Sequence, residues 1–241
     1  MSSIGKNLLP GKLHERLQFD RYPINEFIRR VGFPLLGKGK ILLDAGSGRL
    51  EEQTLRNEIL ATGVKLETLD MFPGEGVDHV GDVAHTGFAD NSYDVILCMQ
   101  VLEHVTDPAS VCRELFRILK PGGFALITAP QSAYLHNLPY HFFHFTNIGM
   151  RKIVEDAGFK VEKIEAQGGH FMTLGAHLHY TCRVLGTFAT SRLKKILLWP
   201  VIMFCRILFG LIGKLLCLWL DKQMFFEGNT QGWNCLCQKP E

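Results

Sequence analysis

Short apolar runs recur along the chain, separated by stretches whose apolar residues fall at helical spacing. The runs are Lys40 to Asp44, Val64 to Asp70, a brief one at Asp78 to Gly81, Asp94 to Cys98 and Phe124 to Thr128. Between them the pattern predicts a helix near residues 49 to 62 and another from Pro108 to Leu119, stopped by Lys120-Pro121-Gly122-Gly123. Strands that are nearly all apolar and alternate with helices belong to a parallel sheet covered on both faces. Upstream, Leu17, Phe19, Ile24, Phe27 and Ile28 predict one amphipathic helix from His14 to Val31. Downstream, Gly158-Phe159-Lys160-Val161 opens a sixth strand, and Gly232 to Lys239 reads as a seventh.

The pattern changes between the last two strands. His170 to Ala189 reads as a helix, and Ile196 to Leu220 is an apolar run interrupted only by Arg206 and Lys214. As one helix it would be about 37 Å long, against a hydrocarbon core of about 30 Å. Lys195, Arg206 and Lys214 fall on one narrow cationic stripe, with Trp199 and Trp219 near the ends. That suits a helix lying in a membrane interface with its cations reaching anionic headgroups. A return to the same sheet excludes a single crossing, so Pro200, Gly210 and Gly213 are expected to break the run into a re-entrant or surface-lying hairpin. The alternatives are a cover over the domain or a face between copies of the chain. The expected organisation is therefore a helical lead-in (1–37), a cofactor-binding core (38–168), an apolar helical insertion (169–228) and a closing strand (229–241).

Charge and cysteines narrow the setting. The 26 basic and 24 acidic residues leave no footprint for nucleic acid. Seven scattered cysteines, with no Cys-x-x-Cys pair, indicate neither a disulfide framework nor a zinc site. Met1 to Gly11 lacks a secretory apolar region, so the chain is expected in the cytoplasm.

The chemistry begins at Asp44-Ala45-Gly46-Ser47-Gly48, a glycine turn straight after the first strand. Glycines there let backbone approach a ligand at the strand's carboxyl end. A dinucleotide site would carry a third glycine at position 51, which is Glu51; that acid and Asp44 disfavour pyrophosphate and suit a cationic sulfonium. Asp70 follows Gly48 by 22 residues, the spacing of an acid on ribose hydroxyls. Gly81-Asp82-Val83, Phe88 to Asp94, Val101-Leu102-Glu103-His104-Val105 and Leu119 to Gly123 complete an ordered series.

In this order and spacing the chain resembles class I S-adenosylmethionine-dependent methyltransferases over roughly residues 38 to 168. The resemblance implies a Rossmann-like, doubly wound, mostly parallel seven-stranded α/β sheet; the apolar helices before the last strand depart from a minimal member of the family. It implies S-adenosyl-L-methionine held by Asp44, Ala45, Gly46, Ser47 and Gly48 at its methionine part. Asp70 and Met71 would take the ribose and adenine face, Asp82 and Val83 the adenine edge, and Met99 and Gln100 the floor near the sulfonium. Leu50 departs from the family's third glycine. Similar enzymes place an acid and an arginine where this chain has His141 and His144, in the loop His136 to Thr146. Those histidines are candidate catalytic bases; the other reading is a lid with His144 capping a helix. No metal is expected, since no spacing matches a ligand set. The expected reaction is methylation, preferentially of oxygen, on a lipid or lipid-linked saccharide at the cytoplasmic membrane face, the protein being peripheral or monotopic and able to associate through the apolar insertion. A non-catalytic membrane adaptor is the alternative, and a nicotinamide dehydrogenase a weaker third.

Overall fold

The computed structural model describes residues 11–48, 53–188 and 190–241. Seven strands form one sheet in the order β3-β2-β1-β4-β5-β7-β6. They are β1 (Ile41–Ala45), β2 (Lys65–Asp70), β3 (His79–Val80), β4 (Tyr93–Met99), β5 (Leu119–Pro130), β6 (Lys160–Ala166) and β7 (Gly232–Gln238). The β1–β2, β1–β4, β2–β3 and β4–β5 pairs are parallel, and β7 runs antiparallel to β5. Side chains alternate across a strand. Leu42, Val95, Leu97 and Leu126 therefore share one face, where they pack with Ile24, Phe27, Ile28, Leu55 and Ile59. Leu43, Ile96, Cys98 and Ile127 point the other way and are equally buried. That double burial is why the central strands lack a polar face.

Helix α3 (Gln53–Ala61) links β1 to β2, and α4 (Pro108–Ile118) links β4 to β5. Asp107 caps α4 by accepting from the Ser110 N–H at 3.1 Å, with Pro108 as its first residue. The Lys-Pro-Gly-Gly segment lies inside β5 rather than before it. Pairing jumps from Tyr93 with Leu119 to Val95 with Phe124, so these residues form a bulge. A Cβ on Gly123 would sit 2.8 Å from the Lys120 carbonyl oxygen and 2.9 Å from that of Asp94, which explains the glycine. Helix α5 (Asn147–Asp156) precedes β6.

The expected single helix over His14 to Val31 is two: α1 (Gly11–Arg16) and α2 (Tyr22–Phe27), the latter running into a π turn, Ile28–Gly32. The N–H groups of Arg21 and Tyr22 donate to the Gln18 carbonyl, and Pro23 has no N–H to continue a ladder. Backbone contacts divide the described residues into two units, Ile24–Glu165 with Gly232–Glu241, and residues 11–23 with Ala166–Gln231.

The second unit is built on α6 (His170–Thr187), α7 (Arg192–Ile207) and α8 (Lys214–Gln223). Pro200 does not break α7, and α7 passes into α8 through a π turn, Leu208–Gly213, instead of a hairpin. Gly210 and Gly213 fall within that π turn, where the ladder loosens without ending. Ile196–Gln223 is thus 28 helical residues, long and apolar enough to cross a membrane by length and composition. Gly175 on α6 allows close approach, since a Cβ there would meet Phe19 at 2.6 Å and Cys217 at 3.0 Å. Asp221 on α8 accepts from the N–H groups of Gly169 (2.9 Å) and Met172 (3.0 Å), capping α6 from a distance of fifty residues in sequence. Lys214 is not part of an outward cationic stripe. It is 8% exposed, donates to the Leu17 carbonyl at 2.8 Å and lies 5.1 Å from the Phe19 ring centre. The outward side carries Trp199, Phe204, Leu216 and Trp219, each more than half exposed.

Candidate active site

The glycine turn is fastened on both sides. The Gly46 and Ser47 N–H groups donate to the Leu69 carbonyl at 2.8 and 3.1 Å, tying the end of β1 to β2. Gly46 has φ +82°, and a Cβ there would lie 2.3 Å from Cγ2 of Val101. Gly48, at φ +63°, has nothing within 4 Å of where its Cβ would be, and its N–H donates to Asp70 Oδ2 at 2.8 Å. The other oxygen of Asp70 accepts from the Phe72 N–H at 3.0 Å. Asp70 therefore holds the turn, a role the sequence did not suggest, while its remaining lone pairs stay available at the strand end. Glu51 and Leu50 lie outside the described residues.

A cleft of ≈ 360 Å³ is lined by Met71, Asp82, His85, His104, Asp107 and Tyr140 among others, and residues 44–48 and Asp70 are not in its lining. Met71 and Asp82 are two of the expected cofactor residues. Asp82 also closes its own turn, accepting from the Ala84 N–H at 2.8 Å, and the Val83 side chain is buried. Ala45 is buried at the end of β1, beside Asp44. Met99 packs against the core. Gln100, in a left-handed conformation at φ 56°, donates through its N–H to the Thr128 carbonyl (3.0 Å) and through its side-chain amide to the Thr128 hydroxyl (3.2 Å).

A cluster of imidazoles borders the cleft. Glu103 and His104 sit in a 3₁₀ turn, Leu102–His104, and the Phe142 N–H donates to the Glu103 carbonyl at 2.8 Å, drawing the loop of 136–146 over it. His104 Nδ1 meets the Tyr140 carbonyl at 2.5 Å and His136 Nδ1 meets the Tyr134 carbonyl at 3.0 Å. A carbonyl only accepts, so both rings carry their proton on Nδ1 and a lone pair on Nε2. The Asn137 amide donates to that lone pair of His104 at 3.3 Å. His141 is the opposite tautomer, because its Nδ1 accepts the His136 N–H at 3.2 Å. Its Nε2 is buried without a hydrogen-bond partner. Ring centres lie 4.9 Å apart for His104 and His136, 4.5 Å for His136 and His141, and 4.9 Å for His141 and His144. Burial, with His136 adding to it, pushes the pKa of His104 down; burial and then the other three imidazoles do the same for His141. Both are neutral at physiological pH.

His144 does not cap α5. Thr146 does, its hydroxyl accepting from the Gly149 N–H at 3.0 Å from the residue just before the first turn. Of these four imidazoles, His104 lines the cleft, and His136, His141 and His144 are not in its lining. The approach of Glu103 and His104 to His136 was not readable from spacing, since 32 residues intervene.

A parallel sheet with a glycine turn after its first strand and an acid after its second, here hydrogen-bonded to that turn, is the arrangement of nucleotide-binding α/β folds. Residues 44–127 match the family model described as "Methyltransferase domain". The match is confined to that stretch, and with the similarities below it supports S-adenosylmethionine as the cofactor. The chain is 27% identical over 172 residues to a Mycolicibacterium smegmatis protein named "Probable S-adenosylmethionine-dependent methyltransferase", covering 66% of this chain and 65% of that protein. It is 34% identical over 115 residues to a ubiquinone biosynthesis O-methyltransferase of Ralstonia nicotianae, covering 42% of this chain and 48% of that protein. The chain thus spans about half to two thirds of these relatives. A S-adenosylmethionine-dependent methyltransferase of Archaeoglobus fulgidus shares the fold at TM-score 0.55 and 18% identity, over 95% of this chain and all of that one.

Proposed function

We propose that this protein transfers a methyl group to a hydroxyl oxygen of a lipid or lipid-linked saccharide, working at the cytoplasmic face of a membrane. The observation that carries the reading is the turn held between Leu69 and Asp70, together with a cleft that Met71 and Asp82 share with His104. Gly46, Ser47 and Gly48, with Asp44 and Ala45 before them, would hold the methionine part of the cofactor. Asp70, Met71, Asp82 and Val83 would hold its nucleoside, and Met99 and Gln100 would underlie the sulfonium. The fit has support in the open space at Gly48, which any side chain would occupy. Bound S-adenosylmethionine supplies an activated methyl on a sulfonium, so alignment of the acceptor accounts for much of the acceleration.

What the chain itself must do is orient the acceptor and take away its hydroxyl proton. The imidazole cluster is suited to the second task, with His104 lining the cleft, His141 packed against it and His144 against His141. Tyr140 and Phe142 offer apolar walls for the acceptor. Two observations favour an apolar acceptor: relatives named for ubiquinone O-methylation, and the exposed Trp199, Phe204, Leu216 and Trp219 of the second unit. Strands β6 and β7 flank the three helices in sequence and are neighbours in the sheet, which supports a monotopic association over a single crossing.

The test combines labelled S-adenosylmethionine and a membrane lipid extract. Label should pass into the lipid fraction with wild type, and fall at least tenfold with His104→Ala while cofactor binding by calorimetry persists. Flotation with anionic liposomes should carry wild type upward but not Trp199→Ser/Phe204→Ser. Cofactor binding with no labelled product from any extract would replace the enzyme with a cofactor-binding adaptor, and a chain that dimerises through α7 and stays at the bottom would refute the membrane role.

A further inference from the structure

We propose that Glu103, His104 and His136 bind a divalent first-row transition-metal ion. Their ligand atoms lie within 4.8 Å of one another, and His104 Nε2 is already 3.7 Å from Glu103 Oε1. Ligands at bond lengths of about 2.1 Å and tetrahedral angles stand about 3.4 Å apart, so small side-chain rotations close the set around an ion.

Three features distinguish this group from a chance meeting of side chains. Each imidazole is oriented by a backbone carbonyl on its far nitrogen, Tyr140 for His104 and Tyr134 for His136, leaving Nε2 as the ligating atom. That is the arrangement by which metal-binding histidines are held. Glu103 is fully buried in its 3₁₀ turn and presents a carboxylate oxygen to the set. His141 packs edge-on to both histidines, which closes the site on that side without competing, since its Nδ1 is taken by the His136 N–H. The Asn137 amide, now on His104 Nε2, swings away or turns its oxygen toward the ion.

Two imidazoles and one carboxylate select zinc, iron or cobalt over magnesium or calcium. Three protein ligands leave positions for water or an acceptor oxygen, and His104 puts these next to the cleft. A hydroxyl bound there loses its proton to solvent at neutral pH because the cation stabilises the alkoxide or phenolate. The ion would then stand in place of His104 as the group that activates the hydroxyl, since the Nε2 lone pair given that task above would be bound to it. That role rests on the methyl transfer proposed above; the binding of the ion does not.

The test uses the untagged full chain, stripped with a chelator and titrated with zinc chloride by calorimetry and with cobalt chloride by visible absorption. Wild type should bind one ion per chain and give a cobalt ligand-field band. His136→Ala, on an exposed loop, should bind at least about 100-fold more weakly and lose the band, while His144→Ala binds as wild type. Glu103→Gln should show the same loss; circular dichroism and cofactor titration report whether each variant is folded. Absence of binding by wild type overturns the proposal, as does binding unchanged in His136→Ala or equal competition by magnesium. Metal binding without cofactor binding would fail the methyltransferase reading alone, and the reverse would fail this one alone.

Discussion

Replacing Gly46 by alanine tests the geometry of the turn most directly. The new Cβ would lie 2.3 Å from Val101 Cγ2, on a residue held at φ +82°. Forcing a methyl into an occupied space costs about 1–3 kcal/mol, and a non-glycine residue in the left-handed region about 1–2 kcal/mol. The single substitution should therefore destabilise the first unit by about 2–5 kcal/mol. Adding Val101→Ala removes the collision and leaves the backbone strain, so the two substitutions should couple favourably by about 1–3 kcal/mol. Urea unfolding followed by tryptophan fluorescence reads this, because Trp233 on β7 is 4% exposed and donates to Gln131 within the same unit. Cofactor affinity gives a second readout. Each 1.4 kcal/mol spent re-forming the turn weakens binding about tenfold, so Gly46→Ala should lose one to two orders of magnitude and the double variant should recover part of that. A coupling below about 0.5 kcal/mol, or unchanged affinity in the single variant, would show that Val101 does not constrain the turn.

Asp221→Ala leaves the buried N–H groups of Gly169 and Met172 without their acceptor, and should cost about 2–4 kcal/mol and lower the thermal midpoint seen by circular dichroism, with Asp221→Asn intermediate. Glu114 is held down at about 2 by the Arg117 guanidinium, against burial and with help from Thr86. Because its folded value lies below the unfolded one, it stabilises the fold above about pH 4.5 and that stability is lost as pH falls toward 2. The shift corresponds to about 3 kcal/mol at most; Arg117 is 37% exposed, so screening leaves about 1–2 kcal/mol. Urea midpoints for wild type and Glu114→Gln should differ at pH 7 and converge near pH 2; a constant gap would refute the assignment.

The sheet was legible because its strands are short, apolar and separated by helices of matching length, so β1, β2 and β4 fall within a residue or two of expectation. Residues Lys120 to Gly123 misled for a physical reason. A Lys-Pro-Gly-Gly segment is turn chemistry, and only the jump in pairing opposite Tyr93 reveals that it is a bulge within β5. The apolar run misled similarly: Pro200, Gly210 and Gly213 weaken a helix locally, but α6 packs against the π turn and α8, and the chain stays helical. Lys214 read as a surface cation since nothing in sequence announces the Leu17 carbonyl waiting for it. At the site, the glycine turn at Gly46 and Gly48 could be read from the sequence, but the bond by which Asp70 holds it could not. The tautomers of His104, His136 and His141 could not, because they depend on backbone carbonyls brought in by the loop.

The position of β7 bears on how the molecule assembles. It lies between β5 and β6, yet Phe124 of β5 pairs with Gln238, from the far side of the whole helical insertion. Closing a loop of roughly a hundred residues costs about 4 kcal/mol in chain entropy before any ladder bond forms. A chain emerging from the ribosome must therefore hold β5 and β6 with open edges until residues 232–238 arrive. During that interval the unpaired N–H and C=O groups of β5 are a template for any other extended strand. The slow step in folding should be the seating of β7, and chaperone dependence should peak just before it.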